Sequence, residues 1–411
     1  MQKMKIKLSV PTNWQNDLFA GLNKSNIAVI YGKLDKDFIG AGRPSSMSVR
    51  VARKEAGRQI SEIHKSGIKF DYLLNSLCLN NLEFTASGQR EIRELLDWLV
   101  GIGVDSVTVS MPYLLQLIKK RYPELEVNIS VGAGVANAAK AKHWEDLGAN
   151  RITLVTDLNR NFALLKNIRE SVKCQLQLIA NLPCLFGCPF SPYHFISVGH
   201  ASQSKHANKG FLIDHCSLNC KYLKLVEPWR MISSGWIRPE DMHYYDNLGI
   251  DTIKLVDRGL KTEFILPIVE AYTHQEYKGN LFDLFPDAHK FIYFSKRYSW
   301  QRIKYFLHPA KYNMFLFHRR VSRMVFEDPS FLDNQKLDGF IKFFIEGKCK
   351  SGNCDGCNYC RKIADEVFSI PDGYRQKMLN ACGNLLDDII DGSLFYVRTN
   401  NPHKGRPADE G

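Results

Sequence analysis

Long hydrophobic runs are missing from this chain of 411 residues. No stretch reaches the roughly 18 apolar residues that a membrane-crossing helix requires. The opening Met1-Gln2-Lys3-Met4-Lys5-Ile6-Lys7 has no apolar run of the kind that marks a secretory leader. Both absences lead to the expectation of a cytoplasmic protein with no membrane partner. Two hydrolytic signatures are also absent, the H-E-x-x-H helix of zinc peptidases and the G-x-S-x-G elbow of serine hydrolases. Basic residues outnumber acidic ones for a net charge of +12, yet they form no single run. The charge therefore suits RNA or another polyanion without specifying one.

What is present is an ordinary globular composition, 45% hydrophobic and 24% charged, enough for one large core and a smaller second unit. Short β-branched runs alternate with longer segments of helical periodicity. Strand candidates fall at 5–10, 27–31, 70–75, 106–110, 126–130, 151–155, 175–181 and 252–256. Helix candidates follow them near 13–23, 50–65, 87–101, 112–121, 137–147, 160–172, 239–248 and 262–275. A helix after every strand predicts an α/β fold, a (β/α)8 TIM-like barrel over 1–276. Thr85-Ala86-Ser87 and Gly101-Ile102-Gly103 bound the third helix with capping residues. Between the seventh strand and its helix, residues 182–238 form a cysteine-containing insertion, and a long irregular loop of this kind points to a functional lid. A mainly helical C-terminal appendage at 277–398 and a polar tail at 399–411, expected to be disordered, follow.

An odd count of 11 cysteines argues against a disulfide framework and for metal binding or catalysis. Cys184, Cys188, Cys216 and Cys220 form two C-x3-C pairs separated by 27 residues, all in the insertion. Structural zinc usually sits on C-x2-C knuckles, so the wider spacing points to a 4Fe-4S cluster, with zinc or four unrelated buried thiols as alternatives. Cys349, Cys354, Cys357 and Cys360 follow the pattern C-x4-C-x2-C-x2-C, whose first three members share plant-type ferredoxin spacing. This group reads as a second 4Fe-4S cluster or a zinc site. Cys78, Cys174 and Cys382 read as small buried hydrophobes. His194, His200, His206 and His215 also fall in the insertion, where each could serve as a base, replace a cluster ligand or face solvent.

Two segments carry a family resemblance. Gly132-Ala133-Gly134-Val135-Ala136-Asn137, continuing through Leu147-Gly148-Ala149-Asn150-Arg151-Ile152-Thr153-Leu154 to Asp157, resembles the strand-five to strand-six region of the collagenase-like peptidase family U-32. Gly249-Ile250-Asp251-Thr252-Ile253-Lys254-Leu255-Val256-Asp257-Arg258 resembles that family's Gly-x-x-x-x-Lys-x-Glu-Gly-Arg segment, with Val256 and Asp257 in place of the glutamate and glycine. Asn181-Leu182-Pro183 replaces the family's His-Gly-Ala. The match covers most of residues 5–275 in order. It implies either a collagenase-like peptidase or an oxygen-independent hydroxylation factor with a 4Fe-4S cluster, acting on ubiquinone precursors or RNA bases.

Strand ends supply the remaining candidates, because loops after the strands of a parallel barrel converge on one face. Asn75 follows strand three, Asp157 strand six, and Asp257 and Arg258 strand eight. Arg43 lies in Gly40-Ala41-Gly42-Arg43-Pro44, where glycines let amides approach an anion and the guanidinium can clamp it. Arg43, Asn75 and Arg258 are thus candidate substrate-binding residues, and Asp157, Lys254 and Asp257 candidate catalytic ones. A Lys254 inside the barrel must be paired, and Asp157 or Asp257 are the partners expected. In the appendage, aromatic and basic residues interleave over 291–306, read as an amphipathic helix with a single-stranded nucleic-acid platform as the alternative.

These readings converge on an iron-sulfur enzyme of the U-32 type. It would carry out or assist an oxygen-independent redox modification, hydroxylation first, of a small molecule, peptide or RNA base. An electron donor and a second family member are its candidate partners. A collagenase-like peptidase and a non-catalytic, metal-stabilised scaffold for RNA or protein are the alternatives.

Overall fold

The computed structural model describes residues 5–208, 210–286, 306–325, 327–349 and 353–396. Its first half is organised by strands β1 (Lys7–Pro11), β2 (Ile27–Gly32), β3 (Lys69–Leu74), β4 (Ser106–Val109), β5 (Glu126–Ile129), β6 (Arg151–Thr153), β7 (Gln175–Ile179) and β8 (Thr252–Lys254). Each pairs in parallel with the next. β1 also pairs with β8, Lys7 opposite Thr252 and Ser9 opposite Lys254, so the barrel is closed. The strands are short and rich in Val, Ile and Leu because they are covered on the outer face by helices.

Each helix of the outer ring follows its strand as expected. Ala86–Gly101 shows why the sequence folds this way locally. The Thr85 hydroxyl caps its first turn by accepting from the Gly88 amide at 3.0 Å. Ile92, Leu95, Leu96 and Leu99 recur on one face and are buried, each adding roughly 2 kcal/mol of apolar burial. Gly103, at φ +80°, then turns the chain toward β4. Over 239–248 the expected helix is a 3-10 turn, Pro239–Asp241, leading into Met242–Asn247.

The insertion departs from expectation. It is not irregular but holds helices Ser191–His200, His215–Val226 and Trp229–Ser233. His215–Val226 packs on Asp372–Ile390 of the appendage as well as on Ser191–His200. Its apolar residues therefore face more than one neighbour and leave no single stripe to read. One continuous core joins the barrel to appendage residues Leu332, Leu337, Phe340, Phe344 and Val367. A second core gathers Leu225 of the insertion with Tyr312, Met378, Cys382 and Leu385. The aromatic and basic stretch 291–306 lies outside the described residues except for Phe306, which stacks on Phe317 at 6.0 Å. The tail 399–411 also lies outside them. No helix among the described residues is long and apolar enough to cross a membrane.

Candidate functional site

The barrel interior is polar where most such barrels stack branched aliphatics. Asp71 of β3 accepts from the Ser106 hydroxyl at 3.0 Å, the Thr108 hydroxyl at 2.6 Å and the Asn128 amide at 3.1 Å, which ties β3, β4 and β5 together. Lys254 of β8 enters the same space and lies 3.8 Å from the centre of the Tyr31 ring. Burial pushes its amine down to about 8, against the opposing pull of Asp71. Burial likewise pushes the Asp71 carboxyl up, with Lys254 opposing. The expected pairing of Lys254 with Asp157 or Asp257 is not found: Lys254 makes no ion pair among the described residues, and the carboxylate that acts on it is Asp71. The reason is geometric: Asp71 and Lys254 are both buried within barrel strands, whereas the other two carboxylates lie beyond the strand ends.

Above this network lies the barrel mouth. The Arg43 guanidinium pairs with Asp257 at 2.5 Å, and Asp257 also accepts from the Gly259 amide at 2.8 Å. Arg258 is buried beside them, its pKa lowered first by burial and then by Arg43. Its Nη1 has no hydrogen-bond partner among the described residues. Lys33 pairs with Asp37 at 2.6 Å, and the Tyr72 hydroxyl donates to the same carboxylate at 2.9 Å. Asn75 spans two loops by donating to the Ser130 hydroxyl at 2.8 Å and accepting from the Gly42 amide at 3.2 Å. It thereby fixes the glycine loop that presents Arg43. Cations and an open donor in a partly desolvated mouth are suited to hold a carboxylate or phosphate.

The insertion covers this mouth. Ser202 donates to the Ala41 carbonyl at 3.0 Å and accepts from the Ala41 amide at 2.7 Å, while Gln203 donates to the Ile39 carbonyl at 3.1 Å. Phe195 lies against Gly42 and Gly132, where an added methyl at Gly132 would come within 3.2 Å of its ring. Asp157 accepts from the Gly187 amide at 3.1 Å, so this residue anchors the cysteine loop to the end of β6. Burial raises its pKa.

Cys216 and Cys220 lie one turn apart on helix His215–Val226, and Cys184 and Cys188 lie on the loop after β7. Cys188, Cys216 and Cys220 are close enough to act on one another electrostatically. Burial, helped by Asp214, pushes the Cys216 thiol up to about 11. Four thiols from two short pairs are the donor set of a thiophilic centre, so on chemistry they fit a cluster or zinc. Among the described residues, no group of three or more His, Cys, Asp or Glu is gathered tightly enough to hold a metal ion. The histidines divide: His194 pairs with Asp214 at 3.1 Å, His215 meets the Asn219 amide at 3.0 Å, and His200 and His206 stack at 4.4 Å. Of the leftover cysteines Cys382 is fully buried, whereas Cys78 and Cys174 are only partly so.

Sequence reading missed Asp71, Tyr31, Lys33 and Asp37. A lone aspartate within Lys69–Leu74 was the available signal, since a charge inside an otherwise apolar barrel strand must face a partner across the axis.

Residues 29–225 match the model of peptidase family U32. An uncharacterized protease of Methanocaldococcus jannaschii is 29% identical over 336 residues, 81% of this chain and 87% of its own length. The tRNA hydroxylation protein P of Escherichia coli is 30% identical over 143 residues, 34% of this chain and 29% of that protein. A solved U32 peptidase structure superposes at a TM-score of 0.48 with 20% identity, covering 62% of this chain and 95% of that one. Over residues 29–225, which hold most of the barrel and part of the insertion, this chain is thus similar to peptidase family U32.

Proposed function

We propose that this barrel is an enzyme that holds an anionic substrate by its carboxylate or phosphate under the cysteine insertion and carries out or assists its oxygen-independent hydroxylation. One observation carries the reading: the insertion that bears four cysteines packs directly on the glycine loop that presents Arg43. Thiols, Asp157 and the cationic mouth therefore share one end of the barrel. In this reading Arg43 and Arg258 bind the anion, and Asn75 positions the Arg43 loop. Lys254 and Asp157, with pKa values moved toward neutrality, hold or release protons. Replacing C–H by C–OH with water as the oxygen source releases two protons and two electrons, so an external two-electron acceptor is needed. A cluster on Cys184, Cys188, Cys216 and Cys220 would pass these electrons to that acceptor one at a time. The partial likeness to a tRNA hydroxylation protein supports an RNA base as one substrate class.

The second reading is a peptidase. The family's description and the archaeal relative's printed name speak for it more directly than for hydroxylation. Cys216, which burial pushes away from the thiolate form, would not be its nucleophile. The deciding experiment incubates anaerobically purified protein with gelatin, a mixed peptide library and total RNA, and analyses products by mass spectrometry. Gain of one oxygen by a base or small acid, lost in Cys188→Ser/Cys220→Ser, is the expected result. Peptide cleavage that survives those substitutions would overturn the hydroxylation reading in favour of the peptidase.

A further inference from the structure

We infer that Cys349, Cys354, Cys357 and Cys360 bind one thiophilic metal centre, zinc or an iron-sulfur cluster, as an anionic tetrathiolate balanced by the buried Arg160 of the barrel. Metal loading at this second quartet then fastens the appendage to the barrel, independently of the chemistry at the mouth.

Arg160 ends the turn Thr156–Arg160 that follows β6 and is 8% exposed. Its guanidinium lies over Trp236 at 4.3 Å, Phe340 at 4.8 Å and Phe344 at 5.1 Å. Nη1 donates to the Ile232 carbonyl, while Nε and Nη2 have no hydrogen-bond partner among the described residues. No carboxylate forms an ion pair with it among those residues. An arginine does not escape burial by losing its proton, so this cation needs an anion that the side chains in contact with it do not supply. The groups acting on it electrostatically are Cys360, Tyr245, Asp241 and Cys349. Two of these four are members of the quartet, and both pack on the edge of the barrel core.

The quartet is locally ordered for ligation. Cys354–Cys357 forms a single helical turn, capped by Asn353 accepting from the Gly356 amide at 3.1 Å. Asn358, left-handed at φ +55°, then redirects the chain so that Tyr359–Val367 begins at once and carries Cys360. Tyr359 stacks on Phe343 at 3.8 Å, and Arg361 lies 4.0 Å over Trp229 of the insertion. The thiols are not drawn into a closed set; binding would gather them. Four thiolates around zinc, or around an oxidised 4Fe-4S cluster, leave a net charge of about −2, the counter-charge that Arg160 lacks.

The test measures zinc, iron and acid-labile sulfide in the full chain and titrates the metal-free protein with Zn2+ against a chromophoric chelator. Cys354→Ser/Cys357→Ser should lose either one zinc or about four irons with matching sulfide, and the sulfide assay tells the two sources apart. Arg160→Met should weaken Zn2+ binding at this quartet by about tenfold or more, with Arg160→Lys recovering part of the loss. Unchanged metal content in Cys354→Ser/Cys357→Ser, or wild-type Zn2+ affinity in Arg160→Met, would overturn the inference. Should Arg160→Met not fold, the cysteine pair still decides. Metal lost only from Cys188→Ser/Cys220→Ser refutes this site and leaves the proposal for the mouth standing.

Discussion

Lys254→Met should flatten the alkaline side of the stability profile. In the folded chain the Lys254 amine is held down to about 8 from an ordinary 10.5, chiefly by burial. The residue is 8% exposed, so solvent screens it little. Between those two values the unfolded chain binds the proton and the folded one does not, so stability rises with pH through this window. The gain is complete above the unfolded value and is lost as pH falls through about 8. A shift of this size corresponds to about 3 kcal/mol. Methionine fills the same space without an amine, so the wild-type minus variant difference should rise with pH by about 2 to 3 kcal/mol between neutral pH and the unfolded value. Urea unfolding at both pH values, with a shared slope, reads this directly. Parallel profiles for the two proteins would refute the burial of Lys254 beside Asp71 as the source of the shift.

Other consequences follow from the same geometry. Arg43→Ala removes the ion pair of the Asp257 side chain, 1% exposed, and leaves only Arg258 nearby; thermal melting should show a loss of about 2–4 kcal/mol, with Asp257→Asn in the same background restoring much of it. Gly235→Ala would place a methyl 2.0 Å from the Thr156 carbonyl oxygen, a backbone atom that cannot yield; a destabilisation above about 2 kcal/mol is expected, whereas Gly101→Ala, with open space around it, should be neutral or mildly stabilising. Arg238 is buried and donates to Asn334, the Leu337 carbonyl and Asp338. Arg238→Met should therefore expose the appendage to limited proteolysis before the barrel unfolds.

Much of the barrel was legible because both faces of its strands are buried, so β-branched runs separate cleanly from amphipathic helices. All eight strands appear in the expected order, with ends displaced by no more than two residues. The segments that carry the family resemblance also have physical roles. Gly134 takes φ +65° and Gly148 φ +103°, while Asn137 caps helix Ala138–Asp146 by accepting from the Lys140 amide at 2.8 Å. In the structure Arg43, from the loop after β2, lies with Asp257 and Arg258 of the β8 end. Sequence spacing could not assign the partner of Lys254, because contacts across a barrel axis join strands far apart in the chain. Nor could it show the insertion's helices, whose apolar residues serve the mouth and the appendage at once.

The metal content of the insertion tests the iron-sulfur centre at the barrel mouth most directly. Iron, acid-labile sulfide and zinc should be measured in protein purified without oxygen, for the wild type and for Cys184→Ser/Cys188→Ser/Cys216→Ser/Cys220→Ser. Loss of about four irons with matching sulfide in the variant, and of the visible absorption that accompanies them, is the predicted result. Identical iron and sulfide in both proteins, or zinc alone at these cysteines, would contradict the redox reading and return the peptidase to first place.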